Sequence, residues 1–200
     1  MKKNNGVSKK VLISIIVVSV LFLLTIILAF VCCFAGNKNK TDKVHDSGSI
    51  VMTYSNNSNS LAIDNSLTFS DKDGMLLKNV NYYFDFTVNT TLKDSKEIDY
   101  EISIKKDPTS TIADDKVRIY LEKQKSGTFT KVFEPNQYVP LTEKSDIGTP
   151  VGSMVLFKDV SKKDSSDNYR LKVWVSDTSG LDSTQLSNYT VSIDVYGKAR

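Results

Sequence analysis

From position 80 onward, apolar and polar residues alternate with a period of two through most of this chain. Val80, Tyr82, Phe84, Phe86 and Val88 share one parity, against Asn81, Tyr83, Asp85, Thr87 and Asn89 on the other. Successive side chains of a strand point to opposite faces, so each such run predicts a strand with one buried face. The pattern returns in Ile98, Tyr100, Ile102 and Ile104, then in Val117, Ile119 and Leu121, then in Tyr169, Leu171, Val173 and Val175. Tyr189, Val191, Ile193 and Val195 close the series. Residues 154–160 predict a less regular strand, and residues 50–54 and 67–69 two short early ones. Lys125-Ser126-Gly127 predicts a hairpin turn into a strand over 128–133. Asp71-Lys72-Asp73-Gly74 predicts a turn, because Asp and Gly are ordinary turn residues.

Many strands with one apolar face need a second sheet to cover them. The expected fold is therefore all-β: an antiparallel β-sandwich, jelly-roll or immunoglobulin-like, over residues 48–200. Tyr120 and Trp174 fall at polar parity, and packing at a sheet edge is their first reading. A binding surface or a register-shifting bulge are the alternatives.

The other pattern is an apolar run over residues 11–34, Val11 to Phe34, with no charge, proline or glycine. At about 1.5 Å per residue it is long enough to cross a hydrocarbon core of about 30 Å. Lys2, Lys3, Lys9 and Lys10 precede it and direct residues 1–10 to the cytoplasm. The predicted layout is a basic N-terminus at 1–10, a single-pass signal-anchor helix at 11–34, a polar stalk at 35–47 and an extracellular domain at 48–200. A cleaved signal peptide is the rival, although such peptides carry an apolar region of about 7–15 residues and a small-residue cleavage site. A lipoprotein acylated at Cys32 or Cys33 is a third reading.

Charge and cysteine content refine this layout. Residues 1–40 hold six lysines and no acid, which leaves 20 basic and 23 acidic side chains, net −3, over 41–200. The basic excess belongs to the anchor flanks, and no nucleic-acid-binding face is expected. Cys32 and Cys33 are the only cysteines. The domain beyond them therefore has neither disulfides nor a cysteine zinc site, and it must rest on its hydrophobic core.

Candidate chemistry is sparse. The single histidine, His45, lies in the stalk, so a Ser-His-Asp or Cys-His arrangement has no base within the domain. No zinc, phosphate-loop or dinucleotide motif occurs. No catalytic residue and no cofactor are predicted. Calcium is the one ion considered, with Asp71, Asp73, Asp177 and Asp182 in predicted loops as the candidate ligands.

The strand 169–175 (YRLKVWV), the loop after it, the closing strand 189–196 and the apolar strand after Ser70-Asp71-Lys72-Asp73-Gly74 carry a family likeness. Over about 48–196 the chain resembles the TasA- and camelysin-related β-sandwich proteins of Gram-positive surfaces and biofilm matrices. The resemblance implies a surface or matrix protein, with fibre assembly in some members. Camelysin-like members have been described as metalloproteases, but this chain shows no zinc-ligand set, and that activity is not carried over. The expectation is a non-catalytic, membrane-anchored cell-surface protein for adhesion, matrix or protein–protein interaction. Its partner would be a protein or a surface polymer, and self-assembly is open. A secreted fibre subunit and a calcium-dependent or carbohydrate-active hydrolase are the alternatives.

Overall fold

The computed structural model describes residues 41–42, 48–54, 58–93, 95–181 and 187–200. The apolar run at 11–34, the two cysteines, His45 and Asp182 lie outside the described residues. Among the described residues no helix is long and apolar enough to cross a membrane.

The strands are β1 (Thr41–Asp42), β2 (Gly48–Tyr54), β3 (Ser60–Asp64), β4 (Thr68–Phe69), β5 (Tyr83–Leu92) and β6 (Ile98–Lys106), then β7 (Val117–Lys125), β8 (Thr128–Asn136), β9 (Ser153–Ser161), β10 (Ser165–Ser176) and β11 (Asn188–Ala199). One short helix, α1 (Asp71–Met75), and a 3-10 turn at Asp114–Lys116 complete the described elements. The first sheet has seven strands in the order β1-β2-β5-β10-β7-β8, with β4 pairing in parallel to β10. The second has four, in the order β3-β11-β6-β9. All other pairings are antiparallel. The protein is all-β, with two antiparallel sheets in a sandwich-like arrangement.

The alternating residues behave as their parity demands. Phe84, Phe86 and Val88 from β5 and Leu171, Val173 and Val175 from β10 meet Ile102, Ile104, Val191 and Ile193 from the second sheet in one core. Fully burying a large apolar side chain contributes about 1.5–3 kcal/mol. At the β7–β8 hairpin, Ser126 (φ 49°) and Gly127 (φ 83°) both take positive φ, the geometry that a tight right-twisted hairpin requires. Most other connections pass from one sheet to the other, as from β2 to β3, β5 to β6 and β10 to β11.

Four details differ from the sequence expectation. Residues 71–75 form a helical turn, with Ser70 as N-cap accepting from the Asp73 amide. Val80 is 64% exposed and precedes the strand, which begins at Tyr83. Strand β8 runs on to Asn136. Strand β3, with Leu61 and Ile63 buried, comes from a Ser- and Asn-rich stretch with too few apolar residues to register as a period.

The outer face of each sheet is partly roofed. Over β10, α1 covers Trp174, which is fully buried with Tyr120 against it; the two do pack, but beneath a helix on interior strands rather than at a sheet edge. Over β6, the long β8–β9 connection covers Glu101, which is fully buried. This is why both central strands are buried on two faces along part of their length.

Candidate functional site

Two groupings of polar side chains stand out: one turned inward between the sheets, one on the open face of the larger sheet.

The inward group arises where strand parity places charge at core-facing positions. Along β7, Val117, Ile119 and Leu121 face inward, and Lys123 is the next residue of that parity. Along β10 the inward parity of Leu171 and Tyr169 continues to Asp167. In β9, Asp159 lies opposite Tyr100 of β6. Lys123 Nζ stands 3.3 Å from Asp159 Oδ2 and 3.2 Å from Asp167 Oδ2. The ammonium also lies 5.4 Å from the ring centroid of Tyr169 and 5.9 Å from that of Phe157. The Tyr100 hydroxyl donates to Asp159 Oδ2 at 3.3 Å, and the Tyr100 and Tyr169 hydroxyls share a hydrogen bond of 2.8 Å. Burial, above all, pushes both phenols well above the ordinary tyrosine range, and the two nearby aspartates add to this. Two strands of each sheet contribute to the cluster.

A second polar grouping lies at Asp114, in the 3-10 turn before β7, which takes Lys106 Nζ at 2.7 Å and the Tyr189 hydroxyl at 3.1 Å, both from the four-stranded sheet. Burial is again the first cause that raises the Tyr189 phenol, with Asp114 second. Thr90, Ser161 and Ser165 form a third, neutral bridge, with Thr90 Oγ1 at 2.7 Å from Ser161 Oγ and 2.8 Å from Ser165 Oγ.

The outer group centres on Arg170. Its guanidinium makes a two-bond fork to Asp85, at 2.7 and 2.8 Å. Its Cζ lies 4.2 Å from the Tyr83 ring centroid and 4.4 Å from that of Phe129. Beside it Thr87 Oγ1 donates to Asn168 Oδ1 (2.7 Å), and Asn168 Nδ2 donates to Gln124 Oε1 (3.0 Å). All of these but Tyr83 line a shallow groove on the open sheet face. The planar, mutually fixed side chains can take a polar partner by hydrogen bonding and stacking.

Beneath α1 the same face carries Lys172, whose Nζ donates to the Met75 carbonyl at 2.5 Å and stands 3.1 Å from Glu122 Oε2. Tyr120 leans on this pair through Glu122. Burial first, then the Glu122 charge, pushes its phenol up to about 12.

On the opposite side of the sandwich, Glu101 holds the β8–β9 connection. Its Oε2 accepts from Ser145 Oγ (2.5 Å) and Thr149 Oγ1 (2.7 Å), and its Oε1 meets Lys158 Nζ at 2.6 Å. Burial raises the Glu101 carboxyl, but Lys158, Ser145 and Thr149 together outweigh it and hold the group below its ordinary value.

The calcium candidates are partly gathered. Pairing of Phe69 with Ser176 brings the segment after β4 alongside the one after β10, and the Asp177 amide donates to the Phe69 carbonyl. Asp71 lies 3.5 Å from Arg118 Nε, Asp73 accepts from the Ser70 hydroxyl, and Asp177 is exposed. Among the described residues no group of three or more acidic, histidine or cysteine side chains converges as a metal site. The inward cluster was open to sequence reading only as a parity signal, charge at Lys123 and Asp167 where the apolar series continues.

No protein-family model, no curated protein and no solved structure matches this chain.

Proposed function

We propose that the chain is a membrane-anchored cell-surface protein whose β-sandwich lies outside the cytoplasm and binds a protein or surface polymer without catalysing a reaction. The observation that carries this reading is the charge-free run at 11–34, flanked upstream by lysines and followed by a cysteine-free β domain. The only histidine falls in the stalk, and this supports the non-catalytic reading. The likeness to TasA- and camelysin-related sandwiches supports a surface or matrix role, and connections that cross between sheets favour a jelly-roll-like rather than an immunoglobulin-like member. The open groove around Arg170 is the favoured contact face, because its polar groups are already oriented and half-buried.

Protease treatment of intact expressing cells tests the reading. Release of fragments from 48–200 without lysis is the expected result, and protection of that region until the cells are broken overturns it. A shed protein whose N-terminus lies beyond residue 34 favours the secreted fibre subunit instead. Arg170→Ala then tests the contact face: it should weaken adhesion of whole cells while leaving surface display unchanged.

A further inference from the structure

We propose that Lys123 and Asp159 become joined by an amide bond that ties the two sheets covalently together. The geometry for it is complete. Lys123 belongs to β7 of the seven-stranded sheet and Asp159 to β9 of the four-stranded sheet, and amine and carboxylate stand 3.3 Å apart. A second carboxylate, Asp167 Oδ2, lies 3.2 Å from the same nitrogen. The Tyr100 hydroxyl donates to Asp159 Oδ2, the oxygen nearest the amine, and polarises the carboxyl group toward attack. The lysine side chain is 14% exposed and lies against the rings of Phe157 and Tyr169. The folded domain thus holds nucleophile, electrophile and proton carrier together, which supplies the entropic part of the barrier in advance.

The step balances without a co-reactant. The Lys123 ammonium passes a proton to Asp167. The free amine attacks Asp159 Cγ, and a C–N bond forms. Asp167 returns the proton to one Asp159 oxygen, the second proton lost by the nitrogen follows by the same route to that oxygen, and the oxygen leaves as water, so that the net product is an amide. A partly buried ion pair becomes a neutral group, so the desolvation cost of its two charges is removed. Lys106 and Asp114 serve as the internal contrast. They stand 2.7 Å apart, but Asp114 is the one carboxylate paired with Lys106 among the described residues, its other acceptor being the Ile112 carbonyl, so its amine has no second carboxylate to carry the proton. A cross-link between sheets fits a domain that has no cysteine with which to make one.

Full-length protein, purified from membranes in detergent and digested with trypsin, decides the matter by mass spectrometry. The expected product is a branched peptide joining the segment that contains Lys123 to the one that contains Asp159, lighter than the two together by one water, with no cleavage after Lys123. Lys123→Arg and Asp159→Ala each abolish it, and the segments containing Lys106 and Asp114 stay separate. Asp167→Asn slows its formation after refolding by about a hundredfold, the scale of general acid–base assistance. Cleavage after Lys123, with both segments at their unmodified masses, overturns the proposal, and so does a join to Asp167. The wild-type digest is sufficient if a variant fails to fold.

Discussion

Gly74 of α1 lies directly on the indole of Trp174. A Cβ built at position 74 would stand 2.2 Å from Trp174 Cε2 and 2.5 Å from its Cδ2, closer than packed carbon atoms approach. The glycine lets a five-residue helix settle on the outer face of β10 and bury the ring completely. Lys172 secures the same contact from below through the Met75 carbonyl.

Gly74→Ala therefore destabilises the domain, although alanine is the better helix former by about 1 kcal/mol. Forcing a methyl into a packed contact costs about 1–3 kcal/mol, and the indole cannot retreat freely because it is fully buried with the Tyr120 ring against it. Trp174 is the only tryptophan, so its fluorescence reports the site directly. The expected outcome is a red-shifted emission with a lower Tm. An unshifted spectrum at unchanged Tm would show that α1 does not rest on the ring.

Glu101 supports a second roof, the β8–β9 connection, and its loss should loosen that segment before the sheets. Glu101→Gln keeps the shape but removes the charge that Lys158, Ser145 and Thr149 satisfy. The expected cost is about 1–3 kcal/mol, as for a buried polar group left poorly paired. Because the folded carboxyl is held below its ordinary value, its contribution is complete above the unfolded value near 4 and is lost as pH falls through the folded one. Hydrogen exchange over 139–152 should rise in the variant at neutral pH and in the wild type only under acid conditions. Equal exchange in the two proteins at pH 7 would refute this role.

The strands and their inward faces were readable because parity is a local property. Tyr82–Val88, Tyr169–Val175 and Tyr189–Val195 state their faces without reference to any partner. Strand β3 was not readable, since Leu61 and Ile63 alone cannot define a period. Asp71–Gly74 has turn composition; the Ser70 cap on Asp73 favours a helical turn locally, and the Trp174 ring beneath it is a contact that no local pattern states. The inward cluster was half legible: parity puts Lys123 and Asp167 inside, but only the strand order brings Asp159 to the same amine. The Ser145 and Thr149 contacts of Glu101 depend on a loop path that no periodicity encodes.

The Tyr100–Tyr169 hydrogen bond spans the sheets, and its two halves should not contribute independently. Tyr100→Phe leaves the Tyr169 hydroxyl buried without this partner, and Tyr169→Phe does the converse while Asp159 still serves Tyr100. Each single change should cost about 1–3 kcal/mol. The double variant should cost less than their sum, because no orphaned hydroxyl remains. Urea unfolding of the four proteins closes the cycle, and strict additivity would show that the bond carries no coupling.

Alkaline pH should unfold the domain through its tyrosines. Tyr120 is pushed up to about 12, and Tyr100, Tyr169 and Tyr189 are raised further, with burial the first cause in every case. An unfolded tyrosine loses its proton near pH 10. Between that pH and the folded values, the unfolded chain binds fewer protons than the folded one, so stability falls as pH rises. The contribution is intact below about pH 10 and declines steeply from there toward pH 12. Each such group adds up to about 1.4 kcal/mol per pH unit to the slope. Denaturant midpoints measured across this range should therefore fall more gently for the Tyr100→Phe/Tyr169→Phe double variant than for the wild type. Phenolate absorbance supplies the second check: these four groups should ionise together with unfolding, and their titration near pH 10 in a still-folded protein would overturn the burial argument.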